Sequence, residues 1–178
     1  MIFEERERAE EPVFLARYDS PLGEIRMTGV EQGLTGLWFA DRNSPVLSPE
    51  TPIRTGELPV FRQAKRWLDQ YFSGQEPTET VALCLRGTPF QKEVWRLLLA
   101  IPYGTTVTYG ALAVEIAENR GQKELSPQAV GGAVGRNPVS ILVPCHRVVG
   151  ADGGLTGYAG GLWRKQWLLN LENKAKNC

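Results

Sequence analysis

Residues 87–98, Gly-Thr-Pro-Phe-Gln-Lys-Glu-Val-Trp-Arg-Leu-Leu, divide the chain into two parts. Thr88 and Gln91 have the spacing of a capping box, and Pro89 stands at the first helical position, where a missing N–H costs nothing. Apolar residues then recur on one helical face, at positions 90, 94, 95, 97 and 98. The pattern predicts a buried helix. Gly87 therefore marks the predicted boundary between a small N-terminal α/β domain, residues 1–86, and a mainly helical C-terminal domain, residues 87–178.

Upstream of this boundary, alternating apolar residues and turn signals indicate a β-meander followed by a helix. The predicted elements are strands at 13–19, 23–30 and 33–40, a proline-containing loop at 41–58, a helix at 60–73 and a short strand at 80–86. Gly74 is the predicted end of the helix.

Downstream of the boundary, two short helices predict a helix-turn-helix. Thr108 caps the first, which extends to Glu118, and Ser126-Pro127 opens the second, which extends to Gly135. The second helix is rich in glycine, and each interior glycine costs roughly 1 kcal/mol relative to alanine. Close packing against the core and close approach to a DNA backbone explain such small residues equally well. A last helix over 162–172 is expected to pack through Trp163, Trp167, Leu168 and Leu171.

A cysteine and histidine pair is the clearest sign of chemistry. The chain's only histidine, His146, directly follows Cys145 within the apolar run 141–149, which is expected to be a strand. Cysteine attacks as the thiolate, so a nucleophilic cysteine needs a nearby base. Adjacent side chains of a strand point to opposite faces, so a direct contact needs an irregular backbone, which Pro144 favours, or a bridging water. The alternative is that Cys145 is a small buried hydrophobic residue.

Composition excludes several classes of protein. With 178 residues, 42% hydrophobic and 22% charged, the chain has the composition of an ordinary soluble globular protein. No apolar run approaches the roughly 20 residues of a membrane span, and the acidic start is unlike a signal peptide, which predicts a cytosolic protein. The three cysteines are scattered and have no C-x-x-C spacing, which predicts reduced thiols and no zinc site. Cys84 is expected in a strand and Cys178 at an exposed terminus.

Charge is distributed unevenly between the two halves. Residues 1–85 carry 9 basic and 14 acidic side chains, whereas residues 86–178 carry 11 basic and 6 acidic ones. A basic half is consistent with a polyanionic partner, and also with a solvated surface.

Six motifs carry a family resemblance. They are Gly87-Thr88-Pro89-Phe90-Gln91, Thr108-Tyr109-Gly110-Ala111-Leu112-Ala113, Ala129-Val130-Gly131, Asn137-Pro138, Pro144-Cys145-His146-Arg147-Val148 and Gly157-Tyr158. Over residues 87–172 the chain resembles the O6-alkylguanine-DNA alkyltransferases. The N-terminal part is similar only through its β-hairpin start and its one long helix, and the resemblance implies that it is an RNase H-like α/β domain.

The resemblance implies direct reversal of DNA damage. Members of the family flip an O6-alkylated guanine out of double-stranded DNA, which they bind through the minor groove. They transfer the alkyl group irreversibly to their own cysteine, so each molecule works once. No metal or organic cofactor is required, and a monomer is expected. Activity on O4-alkylthymine stays open.

The same resemblance implies roles for individual residues. Cys145 is the alkyl acceptor, His146 the base acting through water, and Glu172 the carboxylate that orients His146. Tyr109 is similar to the tyrosine that donates a proton to the guanine, and Asn137 to the buried asparagine that fixes the turn before the active-site strand. Each of the last three has a structural alternative, which is a solvated charge for Glu172, a core residue for Tyr109 and a helix stop for Asn137.

The implied base pocket and DNA surface lie on either side of these residues. The backbones of Val143, Cys145 and Val148 and the segment Tyr158-Ala159 are implied to surround the flipped base, with Ala159 in place of a frequent hydroxyl residue. For Arg147, a structural ion pair and a substrate contact both stay open.

On the DNA side, Ala129 and Gly132 are implied to lie against the minor groove. Gln128 replaces the arginine that typically starts the recognition helix, and Arg136 is a candidate to supply the missing charge. In the long connection at 119–125, Arg120 and Lys123 contact either phosphate or solvent.

Two other functions compete with alkyl transfer. A non-catalytic alkyltransferase-like lesion binder would share the DNA-binding motifs but would lack the acceptor cysteine, which this chain has at Cys145. A Cys-His hydrolase would turn over repeatedly and would not need a helix-turn-helix beside its nucleophile. The sequence favours the alkyltransferase.

Overall fold

The structure is a computed structural model that describes residues 12–176. The chain divides into two compact units, Met1–Arg86 and Gly87–Cys178. The expected position of Cys178 lies outside the described residues.

The N-terminal unit is built on a four-stranded sheet in the order β3-β2-β1-β4. Strands β1 (Val13–Ser20), β2 (Gly23–Val30) and β3 (Gly33–Phe39) form an antiparallel meander, and α1 (Pro59–Phe72) packs against all three. The predicted meander and helix are confirmed. The core of the unit is apolar because α1 and the sheet bury facing side chains, among them Ile25, Met27, Leu37, Phe61 and Leu68.

Two features of this unit differ from the predictions. The loop at 41–58 contains a short strand, β4 (Ile53–Arg54), which pairs parallel with β1. Two residues are too few for an alternation of apolar and polar positions to be visible in the sequence.

The predicted strand at 80–86 is wrong, because within the described residues only a single bridge pairs this segment, Leu34 with Leu83. Gly33 allows the close approach, since a Cβ at this position would lie 2.8 Å from the Ala82 carbonyl oxygen. Cys84 is half-buried beside this bridge rather than within a strand.

The C-terminal unit is mainly helical. It contains α2 (Pro89–Ala100), α3 (Tyr109–Asn119), α4 (Pro127–Gly135) and α5 (Leu162–Lys176). Helices α2, α3 and α4 pack together, and the Trp95 indole N–H donates to the Ala133 carbonyl at 2.9 Å. Two short strands, β5 (Val107–Thr108) and β6 (Val148–Val149), pair in parallel. The predicted mixed α/β fold with a helix-turn-helix is confirmed.

The helix starts show which caps are formed. Thr88 and Gln91 make both bonds of the capping box, and Thr108 accepts from the Ala111 N–H at 3.1 Å. The Ser126 side chain makes no cap bond. Its hydroxyl instead donates to the side-chain oxygen of Gln128 at 2.6 Å. The first helix of the helix-turn-helix therefore has a capped start, and the second relies on Pro127 at its first position.

Two predictions in this unit are wrong. The run 141–149 is a strand only at β6, and it begins as a turn in which Ile141 has a φ of 71°. The 3₁₀ turn Cys145–Arg147 follows, because Pro144 cannot donate to a sheet ladder and buried side-chain bonds hold the turn instead. Trp163, expected in the core, is 55% exposed, with the Arg164 guanidinium 4.6 Å from its ring centroid.

Within the described residues, no helix is both long and apolar enough to cross a membrane.

Candidate active site

Cys145 begins the 3₁₀ turn and is 5% exposed. Its backbone N–H donates to the Val143 carbonyl at 2.8 Å, which closes a tight turn around Pro144. The irregular backbone predicted from Pro144 is therefore present. Because Cys145 lies in a turn and not in a strand, its side chain and that of His146 are not forced to opposite faces.

Asn137, which follows α4, holds this turn in place. Its side-chain amide donates to the Val143 carbonyl at 2.8 Å and lies 3.1 Å from the Cys145 sulfur. Its side-chain oxygen accepts from the Val139 N–H at 3.0 Å. Because Asn137 is buried and uses both ends of its amide, it does more than stop a helix: it joins the end of α4 to the thiol.

Glu172 on α5 gathers three donors in the interior. One carboxylate oxygen lies 2.7 Å from His146 Nε2, and the Arg147 guanidinium donates to both oxygens at 3.0 and 3.1 Å. The Gly104 N–H also donates to the carboxylate, at 2.9 Å. Glu172 is fully buried, so the alternative of a solvated helix-end charge is wrong. With Nε2–H donating to the carboxylate, Nδ1 of His146 is the basic ring nitrogen.

Arg147 has structural partners on both sides. Besides Glu172, it donates to the Ile101 carbonyl at 2.7 Å, and its guanidinium lies 5.6 Å from the Tyr103 ring centroid. Of the two alternatives left open by the sequence, the structure shows the ion pair.

The electrostatics of the site follow from burial and from these bonds. Burial raises the pKa of the Cys145 thiol, and the Asn137 amide and the charge of Lys165 only partly oppose this. Burial lowers the pKa of His146 although Glu172 acts to raise it, so the imidazole is neutral at neutral pH. Burial alone would raise the pKa of Glu172, but the bonds from His146 and Arg147 lower it to about 2. The resting site therefore contains a protonated thiol, a neutral imidazole and an ionised carboxylate.

Two tyrosines lie close to this site. The half-buried Tyr109 starts α3 and donates its hydroxyl to the Thr156 carbonyl at 3.1 Å. Tyr158 meets the His146 ring edge-on, with 6.4 Å between the ring centroids. Burial raises the pKa of both hydroxyls, so both are proton donors at neutral pH. Of the other predicted pocket residues, Val143 and Val148 are fully buried and Ala159 is exposed.

The residues predicted to contact DNA lie on α4 and just beyond it. Gln128 and Ala129 are exposed, Gly132 is half-buried, and the exposed Arg136 donates to the Gly132 carbonyl at 3.3 Å.

Arg120, left open between phosphate and solvent, has a protein partner. It pairs with Glu93 on α2, and its guanidinium lies 5.0 Å from the Phe90 ring centroid. This pair ties the connection between α3 and α4 to α2.

Sequence reasoning missed Lys165 and Gly104. Lys165 is fully buried on α5, and it precedes Leu168 by three positions and Glu172 by seven, so all three share one helical face. A lysine on the apolar face of a helix was the available signal. Gly104 acts through its backbone, which leaves no signal in the sequence.

Among the described residues, no three His, Cys, Asp or Glu side chains are grouped so as to hold a metal ion.

Comparison with known proteins gives a consistent result for both units. The family model described as the DNA-binding domain of 6-O-methylguanine DNA methyltransferase matches residues 89–174, and the one described as its ribonuclease-like domain matches residues 13–85. The second match confirms the RNase H-like prediction for the N-terminal part.

Relatives share this similarity over nearly their whole length. The methylated-DNA–protein-cysteine methyltransferase of Methanosarcina acetivorans is 46% identical over 160 residues, covering 90% of this chain and 98% of the relative. That of Mycolicibacterium paratuberculosis is 46% identical over 159 residues, covering 88% and 90%.

A solved structure agrees with these relatives. The crystal structure of Mycobacterium tuberculosis OGT in complex with DNA superposes with a TM-score of 0.77 at 41% identity, covering 92% of this chain and 94% of that one. The chain therefore belongs to the 6-O-methylguanine DNA methyltransferase family.

Proposed function

We propose that this protein repairs double-stranded DNA by moving the alkyl group of O6-alkylguanine onto Cys145, once per molecule. The observation that carries the proposal is the buried Cys145 thiol, held by Asn137 and followed directly by a His146–Glu172 pair, in a chain of this family. The names of the relatives and the DNA complex of the mycobacterial OGT support the same activity.

The reaction is a displacement at saturated carbon. A bond forms between the Cys145 sulfur and the alkyl carbon, and the bond from that carbon to the guanine O6 breaks. The thiol proton passes through water to Nδ1 of His146, while Tyr109 donates a proton to the departing guanine ring. The proton on His146 restores the Tyr109 hydroxyl, so the net exchange is one alkyl group for one proton.

The starting protonation states explain why a base is needed. Because burial favours the neutral thiol, the resting cysteine is protected from non-specific alkylation. His146 is neutral and can therefore accept the proton when a substrate is bound. Glu172 and Arg147 keep the imidazole in the tautomer that leaves Nδ1 basic.

The binding surface proposed for DNA is α4, placed in the minor groove. An added Cβ at Gly131 or Gly132 would lie no closer than 3.5 Å to another side chain, and at Gly135 it would meet nothing within 4 Å. Core packing therefore does not require these glycines, whereas a close DNA backbone would. This favours the DNA explanation over the packing explanation for the small residues of α4.

The pocket proposed for the flipped base combines backbone and ring surfaces. Val143 and Val148 offer backbone groups on one side, and Tyr158 and the Ala159 N–H form the other. Flipping costs a few kcal/mol, which stacking and edge hydrogen bonds in the pocket must offset.

The cellular setting follows from the chemistry of the thiol. An acceptor cysteine must stay reduced, so we place the protein in the cytoplasm. We propose that the protein acts as a monomer, with residues 1–86 and 87–178 as its domains.

The test is mass spectrometry of the intact protein and its peptides after mixing with excess duplex DNA containing O6-methylguanine. We expect one added methylene on Cys145 and repair that stops at one lesion per protein molecule. Cys145→Ala is the inactive control, and Cys84→Ser should behave like the wild type. Retained lesion binding without an adduct would indicate the non-catalytic lesion binder instead, and continued turnover would indicate a hydrolase.

A further inference from the structure

The N-terminal unit contains a cavity that the proposed reaction does not use. It has a volume of about 300 Å³ and lies between the sheet and the loop that precedes β4. Its lining includes Val13 on β1, Thr35 on β3 and Val46 in the loop. Folded interiors have few voids larger than a water molecule, whereas cavities that bind small molecules start at about this size. The cavity is therefore a candidate ligand site.

The loop lies against the face of the sheet that points away from α1. Met27 of β2 and Leu37 of β3 form a register pair whose side chains are buried on the α1 side. The adjacent pair, Thr28 and Gly36, therefore points to the opposite face. An added Cβ at Gly36 would lie 2.7 Å from Cγ2 of Val46, so the missing side chain lets the loop approach the sheet. The cavity lies between this face and the loop.

Hydrogen bonds of its own hydroxyl groups hold the loop in place. The Ser44 hydroxyl oxygen accepts from the N–H groups of Val46 and Leu47, at 3.2 and 2.8 Å. Thr51 closes a second turn, because its hydroxyl oxygen accepts from the Ser48 N–H at 2.9 Å. The Thr51 N–H also donates to the Ser48 carbonyl at 3.1 Å. This wall of the cavity is therefore preformed, and a ligand would not have to order it.

Arg86 is the polar side chain of the lining that is free to bind a ligand. The other polar side chains are hydroxyls with partners of their own. Thr35 donates to the Thr28 hydroxyl oxygen at 3.0 Å, and the hydroxyls of Ser48 and Thr51 lie 3.0 Å apart. Among the described residues, no hydrogen bond or ion pair engages the Arg86 side chain, and no acidic side chain lines the cavity. The lining therefore combines one positive charge with the apolar surface of valine and proline side chains.

We propose that this cavity binds a small organic carboxylate, whose charged group pairs with Arg86 and whose apolar body contacts the valine and proline side chains. A guanidinium matches the geometry of a carboxylate and can donate two parallel hydrogen bonds to it. One guanidinium balances one negative charge, so a monocarboxylate fits better than a phosphate monoester, which carries roughly two. The proposal goes beyond the proposed function, because every residue that carries it belongs to the N-terminal unit.

The test is an NMR titration of the isotope-labelled full chain, without DNA, with naphthylacetate as the probe. Two related compounds separate the contributions of its parts. Naphthylacetamide keeps the rings without the charge, and acetate keeps the charge without the rings. Arg86→Gln removes the cation from the cavity. Arg42→Gln is the matched control, since Arg42 is an exposed arginine of the same unit that does not line the cavity.

We expect naphthylacetate to shift the backbone signals of the residues around the cavity. Naphthylacetamide and acetate should each bind about tenfold or more weakly, because one lacks the charge and the other the apolar body. Arg86→Gln should weaken binding of naphthylacetate by a similar factor, since a charge-assisted pair is lost, and Arg42→Gln should match the wild type. Thr35→Leu places a larger side chain in the lining and should also weaken binding.

Equal affinity for naphthylacetate and its amide overturns the proposal. So does an unchanged affinity in Arg86→Gln, or signal shifts that lie away from the cavity. If Thr35→Leu does not fold, Arg86→Gln decides alone, because Arg86 is exposed and its substitution leaves the core intact. The titration contains no DNA, so a failure of methyl transfer to Cys145 would remove the proposed function without changing this result.

Discussion

A single carboxylate, Glu172, sets the state of the proposed base. It receives hydrogen bonds from His146, Arg147 and the Gly104 backbone, and none of its surface is exposed. In a buried site, removing one member of such a group leaves the others uncompensated, which costs more than the net contribution of the intact group. The residue therefore contributes to stability as well as to orientation of the imidazole.

This buried carboxylate predicts how stability depends on pH. The pKa of Glu172 is about 2 in the folded chain and about 4.3 in an unfolded one, so the folded state binds fewer protons between these values. Its contribution is fully present above about pH 4.3 and is lost as the pH falls toward 2, by an amount on the order of 3 kcal/mol. Urea unfolding from pH 6 to pH 2 should show a steep decline in the wild type and a flatter one in Glu172→Gln. Glu118→Gln, at an exposed position on α3, should leave the slope unchanged.

Asn137 gives a second prediction for a single residue. Asn137→Ala removes the bonds to the Val143 carbonyl and the Val139 N–H, and both partners remain buried. The Val143 carbonyl still accepts from the Cys145 N–H, whereas the Val139 N–H loses its acceptor, which costs about 1–3 kcal/mol, so the free energy of unfolding should fall by about that amount. Denaturant titration measures this fall, with Asn170→Ala, at an exposed position on α5, as the control. A loss below about 1 kcal/mol would show that the turn holds without the amide.

At the scale of elements, the helix-turn-helix has one capped start and one uncapped start. Thr108 accepts from the Ala111 N–H, whereas the Ser126 side chain makes no cap bond. Helix α4 is also poor in side chains that favour helix. Its order therefore depends on the burial of Val130, Ala133 and Val134 against its neighbours.

The two caps predict unequal costs for similar substitutions. Thr108→Ala should lower the free energy of unfolding by about 1 kcal/mol, the usual cost of a lost cap. Ser126→Ala should cost only a few tenths of a kcal/mol, because no cap bond is lost. Chemical denaturation of the two variants under one set of conditions gives the comparison, and equal losses would contradict the observed difference in capping.

Gln128, a neutral residue at the exposed start of α4, predicts that DNA binding depends less on salt than it would with an arginine at this position. Gln128→Arg should tighten binding to duplex DNA and steepen the slope of log affinity against log salt by about 1, as expected for one added phosphate contact. Fluorescence titration at several salt concentrations measures both quantities. Gln122→Arg adds the same charge to the exposed connection between the helices and serves as the control. If Gln128→Arg changes neither affinity nor slope, the residue at this position does not approach the phosphates.

At the scale of the molecule, periodicity in the sequence predicted long elements better than short ones. The meander and helices α1, α2 and α5 were predicted because apolar residues repeat at the period of each element, whereas α3 and α4 were predicted from the start signals Thr108 and Ser126-Pro127. Strand β4, the single bridge at Leu83 and the 3₁₀ turn at Cys145 span too few residues to show a period.

The sequence also predicted part of the candidate site, and missed the rest. Cys145, His146 and Glu172 were identified by motif and resemblance, and the structure pairs His146 with Glu172 in the turn that Cys145 begins. The Gly104 contact could not be predicted, because it depends on a backbone group that long-range packing brings into reach.

Alkylation of Cys145 should destabilise the whole protein. The thiol is 5% exposed and lies 3.1 Å from the Asn137 amide, so an added methyl group crowds a packed site. Overpacking typically costs about 1–3 kcal/mol, and each kcal/mol lowers the Tm of a protein of this size by about 2–4 °C. Differential scanning calorimetry before and after methyl transfer measures the change. Cys145→Ala exposed to the same DNA should show none, and an unchanged Tm in the wild type would mean that the site accommodates the methyl group without strain.

The position of Glu172 on the last helix has a genetic consequence. A stop codon anywhere from position 148 to position 172 removes this carboxylate and leaves Arg147 without its anionic partner, although the acceptor cysteine and its histidine are still translated. Nonsense mutations that sensitise cells to alkylating agents should therefore be recovered along the reading frame as far as codon 172. Stop codons a few positions further on leave all three partners of the carboxylate in place and should escape such a selection.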